Sequence, residues 1–182
     1  MQEDSNPIKD YLFEYIKNSQ EIPELIRLKN FNEVINNIVK NCFDKIASMA
    51  EKEEAVGILA TGLLHYLLTN ALITSQRKIK YNETEIDIVV PDLKTLEKDP
   101  KRTLLVCIPR SSDKKTVEKK IQELEEIQPE TENIWVILSE IVPINKKSFV
   151  LSKKNNSFSK IIFEIAQFSN TGGTNKFKIL RV

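Results

Sequence analysis

Residues 78–108 read KIKYNETEIDIVVPDLKTLEKDPKRTLLVCI, and this stretch decides the fold. Residues 78–90 alternate polar and apolar and close on an apolar run. With Asn82-Glu83 placed for a turn, they predict two short strands or one bent strand. Residues 91–102 are polar and punctuated by Pro91 and Pro100, which reads as a loop. Residues 103–108, TLLVCI, are continuously apolar, as a strand is when helices cover both faces of its sheet.

Working outward, Ser111-Ser112-Asp113 offers N-caps for a helix with Val117, Ile121, Leu124 and Ile127 on one face, stopped by Pro129. Residues 133–141, NIWVILSEI, predict another buried strand. Beyond it a strand is expected over 149–151, then a helix capped by Ser157 and running to about Phe168. A Gly172-Gly173 turn and an edge strand over 176–182 would close the chain.

On the N-terminal side, Asn6-Pro7 reads as a cap and first helical residue, opening a helix to about Asn18. Residues 21–49 carry apolar residues at spacings of three and four, hence one long helix or two broken near Asn30 or Asn32. The acidic turn 51–54 suits a helix N-terminus, and a buried helix follows to about Ile73. A buried helix, then strand, strand, helix and strand, predicts an α/β core with a central mixed sheet flanked by helices. The expected organisation is an N-terminal helical region over 1–50 and the α/β core over 51–182.

Composition narrows the chemistry. At 182 residues the chain is long enough for its own core, and 41% hydrophobic with 29% charged residues is a globular balance. His65 is the only histidine, which excludes zinc sites built on two or three histidines, and no thiol has a spaced histidine partner. The glycines, at 57, 62, 172 and 173, form neither common phosphate-binding loop. Cys42 and Cys107 sit in apolar runs far apart, so both are expected reduced and buried, in a cytoplasmic protein. The net charge of +1 makes no bulk case for nucleic acid, although basic residues outnumber acidic ones over 77–80, 98–102, 110–120 and 146–154.

Residues 55–76, AVGILATGLLHYLLTNALITSQ, are uncharged and about long enough to span a bilayer. The polar Thr61, His65, Thr69 and Asn70 and the lack of aromatic belts favour a buried central helix instead, with His65 hydrogen-bonded in the core. No membrane partner is expected. Trp135, between Ile134 and Val136, is expected in the core or as an anchor on a sheet face.

The residues that carry chemistry are Glu85 and Asp87 in TEIDIVV and Arg110 after LLVCIP. Side chains two apart on a strand share a face, so the two carboxylates are expected to project together. They can form salt bridges with Lys78 or Lys80 across the hairpin, or they can serve a metal or phosphate. The order of elements around them, over about residues 51–140, resembles the PD-(D/E)XK nuclease-like superfamily, which includes archaeal Holliday-junction resolvases and restriction-enzyme domains. That resemblance implies Mg²⁺ held by a strand-borne Asp and by the acid of (D/E)-x-K on the next strand, with the Lys orienting or activating water.

Asp87 matches the first position and is the one implied metal ligand. The second half departs from the pattern: the sequence there is Cys107-Ile108-Pro109, with Arg110 one residue beyond the lysine position. Arg110 can grip a phosphate but cannot take a proton from water at neutral pH. The second acid is therefore missing unless Glu85, or Glu118 on the following helix, replaces it. The family's further Glu on the preceding helix has no counterpart in 55–76, and a literal match at Pro91-Asp92 and Asp99-Pro100-Lys101 lies in the polar loop.

Three functions are thus expected, in order. The first is a degenerate, catalytically inactive member that binds DNA, RNA or a protein of a nucleic-acid-processing complex. Arg110, Lys114 and Lys115 would be its phosphate contacts. The second is an active Mg²⁺-dependent nuclease using Asp87, Glu85 and Arg110. The third is an assembly module, homo-oligomeric or heteromeric, that docks through the N-terminal helices.

Overall fold

The computed structural model describes residues 6–172. Helix α1 (Pro7–Asn18) begins as its sequence dictates. The Asn6 side chain accepts the N–H groups of Ile8 (3.0 Å) and Lys9 (3.3 Å), and Pro7 fills the first helical position, where its missing N–H costs nothing. The next segment takes the broken option, α2 (Glu21–Arg27) and α3 (Phe31–Ala47), and Lys29 adopts φ +56° at the break.

Helix α4 (Lys52–Asn70) opens on Glu53 and Glu54, whose charge complements the helix N-terminus, and is apolar around nearly its whole circumference. Among the described residues no helix is long and apolar enough to cross a membrane. His65 departs from expectation: it is half-buried, and its Nδ1 is buried without a hydrogen-bond partner among the described residues. Burial and the nearby Arg77 push its pKa below the ordinary imidazole value.

Five strands form one sheet in the order β1 (Gln76–Tyr81), β2 (Thr84–Val90), β3 (Leu104–Cys107), β4 (Ile134–Leu138) and β5 (Ser148–Val150). β1, β2 and β3 run antiparallel, while β3, β4 and β5 run parallel, so the sheet is mixed. Asn82 and Glu83 both take positive φ, +47° and +64°, matching the twist of a tight two-residue hairpin. Every residue of β3 and β4 is buried, because helices cover both faces. On one face α1, α3, α4 and α7 (Ile161–Thr171) close over Ile88, Val106 and Ile137. On the other, α6 (Lys114–Glu125) lays Val117, Ile121 and Leu124 against Val89, Leu105 and Val136. Trp135 is core, 5% exposed, packed on Phe149 and Phe168.

Two expected elements differ. Residues 91–102 are not irregular throughout: Asp92 accepts the Thr95 N–H (2.7 Å) and caps the short helix α5 (Leu93–Lys98), which a 3₁₀ turn follows. Ser157 does not cap α7, because its hydroxyl accepts the Val150 N–H (2.8 Å) and a 3₁₀ turn intervenes. Gly172, at φ +61°, ends α7. Gly173 and the strand expected over 176–182 lie outside the described residues.

Candidate phosphate-binding cleft

At the end of β3 the sheet opens. The β2–β3 ladder pairs Val90, Val89 and Ile88 with Leu104, Leu105 and Val106. The next link comes from a side chain: Asp87 Oδ2 accepts the Ile108 N–H at 2.7 Å. Side-chain alternation breaks at this point, since Ile86 packs on the α6 side whereas Ile88 and Val90 pack on the α4 side. Lys78, between the paired Arg77 and Ile79 of β1, takes φ +51°. The resulting cleft, of about 520 Å³, is lined by Glu85 and Asp87, by Ile108, Pro109 and Arg110, by Lys78 and Lys80, and by Thr116 and Lys120 of α6.

Asp87, Glu85 and Arg110 line one cleft. The Asp87 carboxyl is pushed above its ordinary pKa by burial, although the Ile108 amide and the charges of Arg110 and Lys120 pull it down. At the hairpin, Lys80 pairs with Glu83 of the turn (2.7 Å). Lys114 and Lys115 are not among the lining residues, and Lys114 instead lies 3.6 Å from Glu118 on the outer surface of α6. The same helix reaches the cleft through Lys120, whose Nζ donates to the Glu85 carbonyl (2.8 Å). Sequence reading marks Lys120 only as one of four lysines on this helix; its place beside Glu85 comes from the β2–α6 packing.

Arg110 is anchored from the far side. Its Nη1 donates to the Glu54 carbonyl in the first turn of α4 (3.2 Å). That turn is tied to the strand ends by Ser112, whose hydroxyl lies 3.3 Å from Glu53 Oε1 and 3.1 Å from Ser139 Oγ. Glu53 and Glu54 therefore precede the uncharged run and meet the β3–α6 loop, Glu53 through its carboxylate on Ser112 and Glu54 through its backbone carbonyl on Arg110.

The donor set does not fit a Mg²⁺ site. Mg²⁺ is held by oxygen ligands, typically one or two carboxylates with water and phosphate oxygens completing the shell, and here the Asp87 carboxylate is already engaged by the Ile108 N–H. Among the described residues no three His, Cys, Asp or Glu side chains converge. Cys107, which the sequence resemblance set at the second-acid position as an expectation, is fully buried in the α6-side core, where burial and Asp87 push its thiol pKa up. Arg110 and Lys120 bring positive charge onto Asp87, which disfavours a divalent cation there. The cleft sets the cations Lys78, Lys80, Arg110 and Lys120 against the carboxylates Glu85 and Asp87, Arg110 and Lys120 donating to backbone carbonyls and Lys120 also lying 3.9 Å from Glu123, an excess of positive charge that suits an anion. A larger cleft of about 750 Å³, among α3, α4, α5 and α7, is lined by Lys29 and Arg102 and, among the described residues, by no acid, histidine or thiol.

The fold is a restriction-endonuclease-like α/β fold. The solved structure of restriction endonuclease PspGI in complex with substrate DNA is similar to this chain at TM-score 0.55 and 12% identity, over 91% of this chain and 94% of that one. At that identity the likeness is one of fold. No protein-family model matches the chain, and no curated protein sequence does.

Proposed function

We propose that this protein binds the phosphate backbone of nucleic acid in the Asp87–Arg110–Lys120 cleft and does not cleave it. The observation that carries the reading is the charge arrangement: Arg110 and Lys120, each donating to a backbone carbonyl, act on Asp87 in a cleft that Glu85, Lys78 and Lys80 also line, and a buried thiol stands where the resembled family carries its second acid. Phosphodiester cleavage in this fold depends on clustered carboxylates that load a metal. Phosphate recognition needs only positioned cations and is sequence-independent. The DNA bound to the similar restriction endonuclease supports nucleic acid as the partner class.

The test is anisotropy of labelled duplex DNA, single-stranded DNA and RNA, in EDTA and in Mg²⁺ or Mn²⁺, with branched and single-stranded DNA analysed for cleavage. The expected result is binding of the same strength with and without metal, falling steeply with salt, and intact substrate. Metal-dependent cleavage refutes the loss of activity. Failure to bind any of the three at low salt refutes nucleic-acid binding and moves function to a protein partner.

A further inference from the structure

We infer that Gly57 is the positioning residue of this cleft: its missing side chain is the seat in which the Arg110 guanidinium is fixed. This rests on the phosphate-binding reading above. A Cβ built on Gly57 would lie 2.1 Å from Arg110 Nη1 and 2.7 Å from its Cδ and Cζ, so the guanidinium occupies the space that any other residue would fill. The Glu54 carbonyl, three residues earlier on the same face of α4, receives Nη1 at 3.2 Å and completes the seat.

Helix geometry alone does not ask for glycine here. Gly57 has ordinary helical backbone and lies inside a 19-residue helix, where glycine is less favourable than alanine. The acidic first turn, with Glu53 and Glu54, favours a cation beside it, but a longer residue at 57 would still keep the guanidinium off the Glu54 carbonyl. The unfavourable glycine is explained if the cation must be held still at the mouth of the cleft. A preorganised arginine loses less side-chain freedom when it takes a phosphate than a mobile one does.

The experiment compares Gly57→Ala, Arg110→Ala and the double variant for binding of labelled single-stranded and duplex DNA in EDTA, alongside thermal melts. Gly57→Ala and Arg110→Ala should each weaken binding about tenfold, a loss of about 1.4 kcal/mol. The double variant should bind no more weakly than Arg110→Ala alone, because a residue acting through Arg110 has nothing left to act on. The melting temperature of Gly57→Ala should hold or rise by a few degrees, as alanine favours the helix. If Gly57→Ala instead melts low and removal of Arg110 restores it, the clash is confirmed and the seat stands. A low melt that persists in the double variant overturns the inference, as does wild-type binding by Gly57→Ala when Arg110→Ala binds poorly. If neither single variant changes binding, the cleft reading itself fails and the seat falls with it.

Discussion

Replacing Asp87 by Asn separates a phosphate cleft from a metal site, because the two assign opposite signs to the same change. The amide oxygen of Asn can still accept the Ile108 N–H now bonded at 2.7 Å, so the β2–β3 link survives while the charge is lost. In a phosphate cleft that charge opposes the ligand. Two unit charges about 7 Å apart at an effective dielectric near 40 repel by about 1 kcal/mol, so Asp87→Asn should bind labelled DNA about fivefold more tightly in EDTA. Stability should move the same way at neutral pH. Burial holds the Asp87 pKa above its ordinary 3.8, so the folded state keeps the proton longer than the unfolded chain does. The stability of the native protein attributable to this group is therefore greatest below pH 3.8, falls as pH rises through the raised folded value, and stays lower above it. Asn does not titrate, so the variant should melt above wild type at pH 7 and lose that advantage on acidification. Weaker binding by Asp87→Asn, or a metal-dependent cleavage that it abolishes, would refute this reasoning.

Two further outcomes follow from groups outside the cleft. Gln128 is fully buried, donates to the carbonyls of Pro100 (3.1 Å) and Thr103 (2.7 Å), and accepts the Glu130 N–H (3.2 Å). Gln128→Leu should thus cost about 2–4 kcal/mol in guanidinium unfolding by orphaning buried groups, and a loss under about 1 kcal/mol would contradict that role. Burial pushes the Cys42 thiol up to about 11 and raises Cys107 as well, so both should resist a disulfide reagent at pH 8 until the protein unfolds; rapid native labelling of either would contradict the packing.

The parts of the fold that the sequence made legible are those set by local rules. Asn6-Pro7 capped a helix, Asn82-Glu83 turned a hairpin, and the apolar runs around Val106 and Val136 became strands buried on both faces. Helix α5 was hidden because Pro91 and Pro100 bracket only six helical residues, too few for a period to show. Ser157 had the residue type of a cap, but tertiary structure spent its hydroxyl on Val150. In the site, Asp87 stood out as a charge in an apolar strand. Lys120 and Gly57 did not, because their roles rest on contacts between distant segments: Arg110 meets Glu54 across 56 positions, and Lys120 meets Glu85 across 35. No local spacing encodes such pairs.

The all-round apolarity of α4 bears on how the chain reaches its native state during synthesis. A helix with no polar face has no safe side to show to water, and α1 and α3, which share its buried cluster, both precede it in the chain. Their covering surfaces are already made when α4 leaves the ribosome, so on one side it meets its partners at once. The sheet that covers its other side is translated later. The interval between the appearance of Asn70 and the completion of β4 is then the period in which a nascent chain exposes its most aggregation-prone surface, and in which a chaperone would have most to hold.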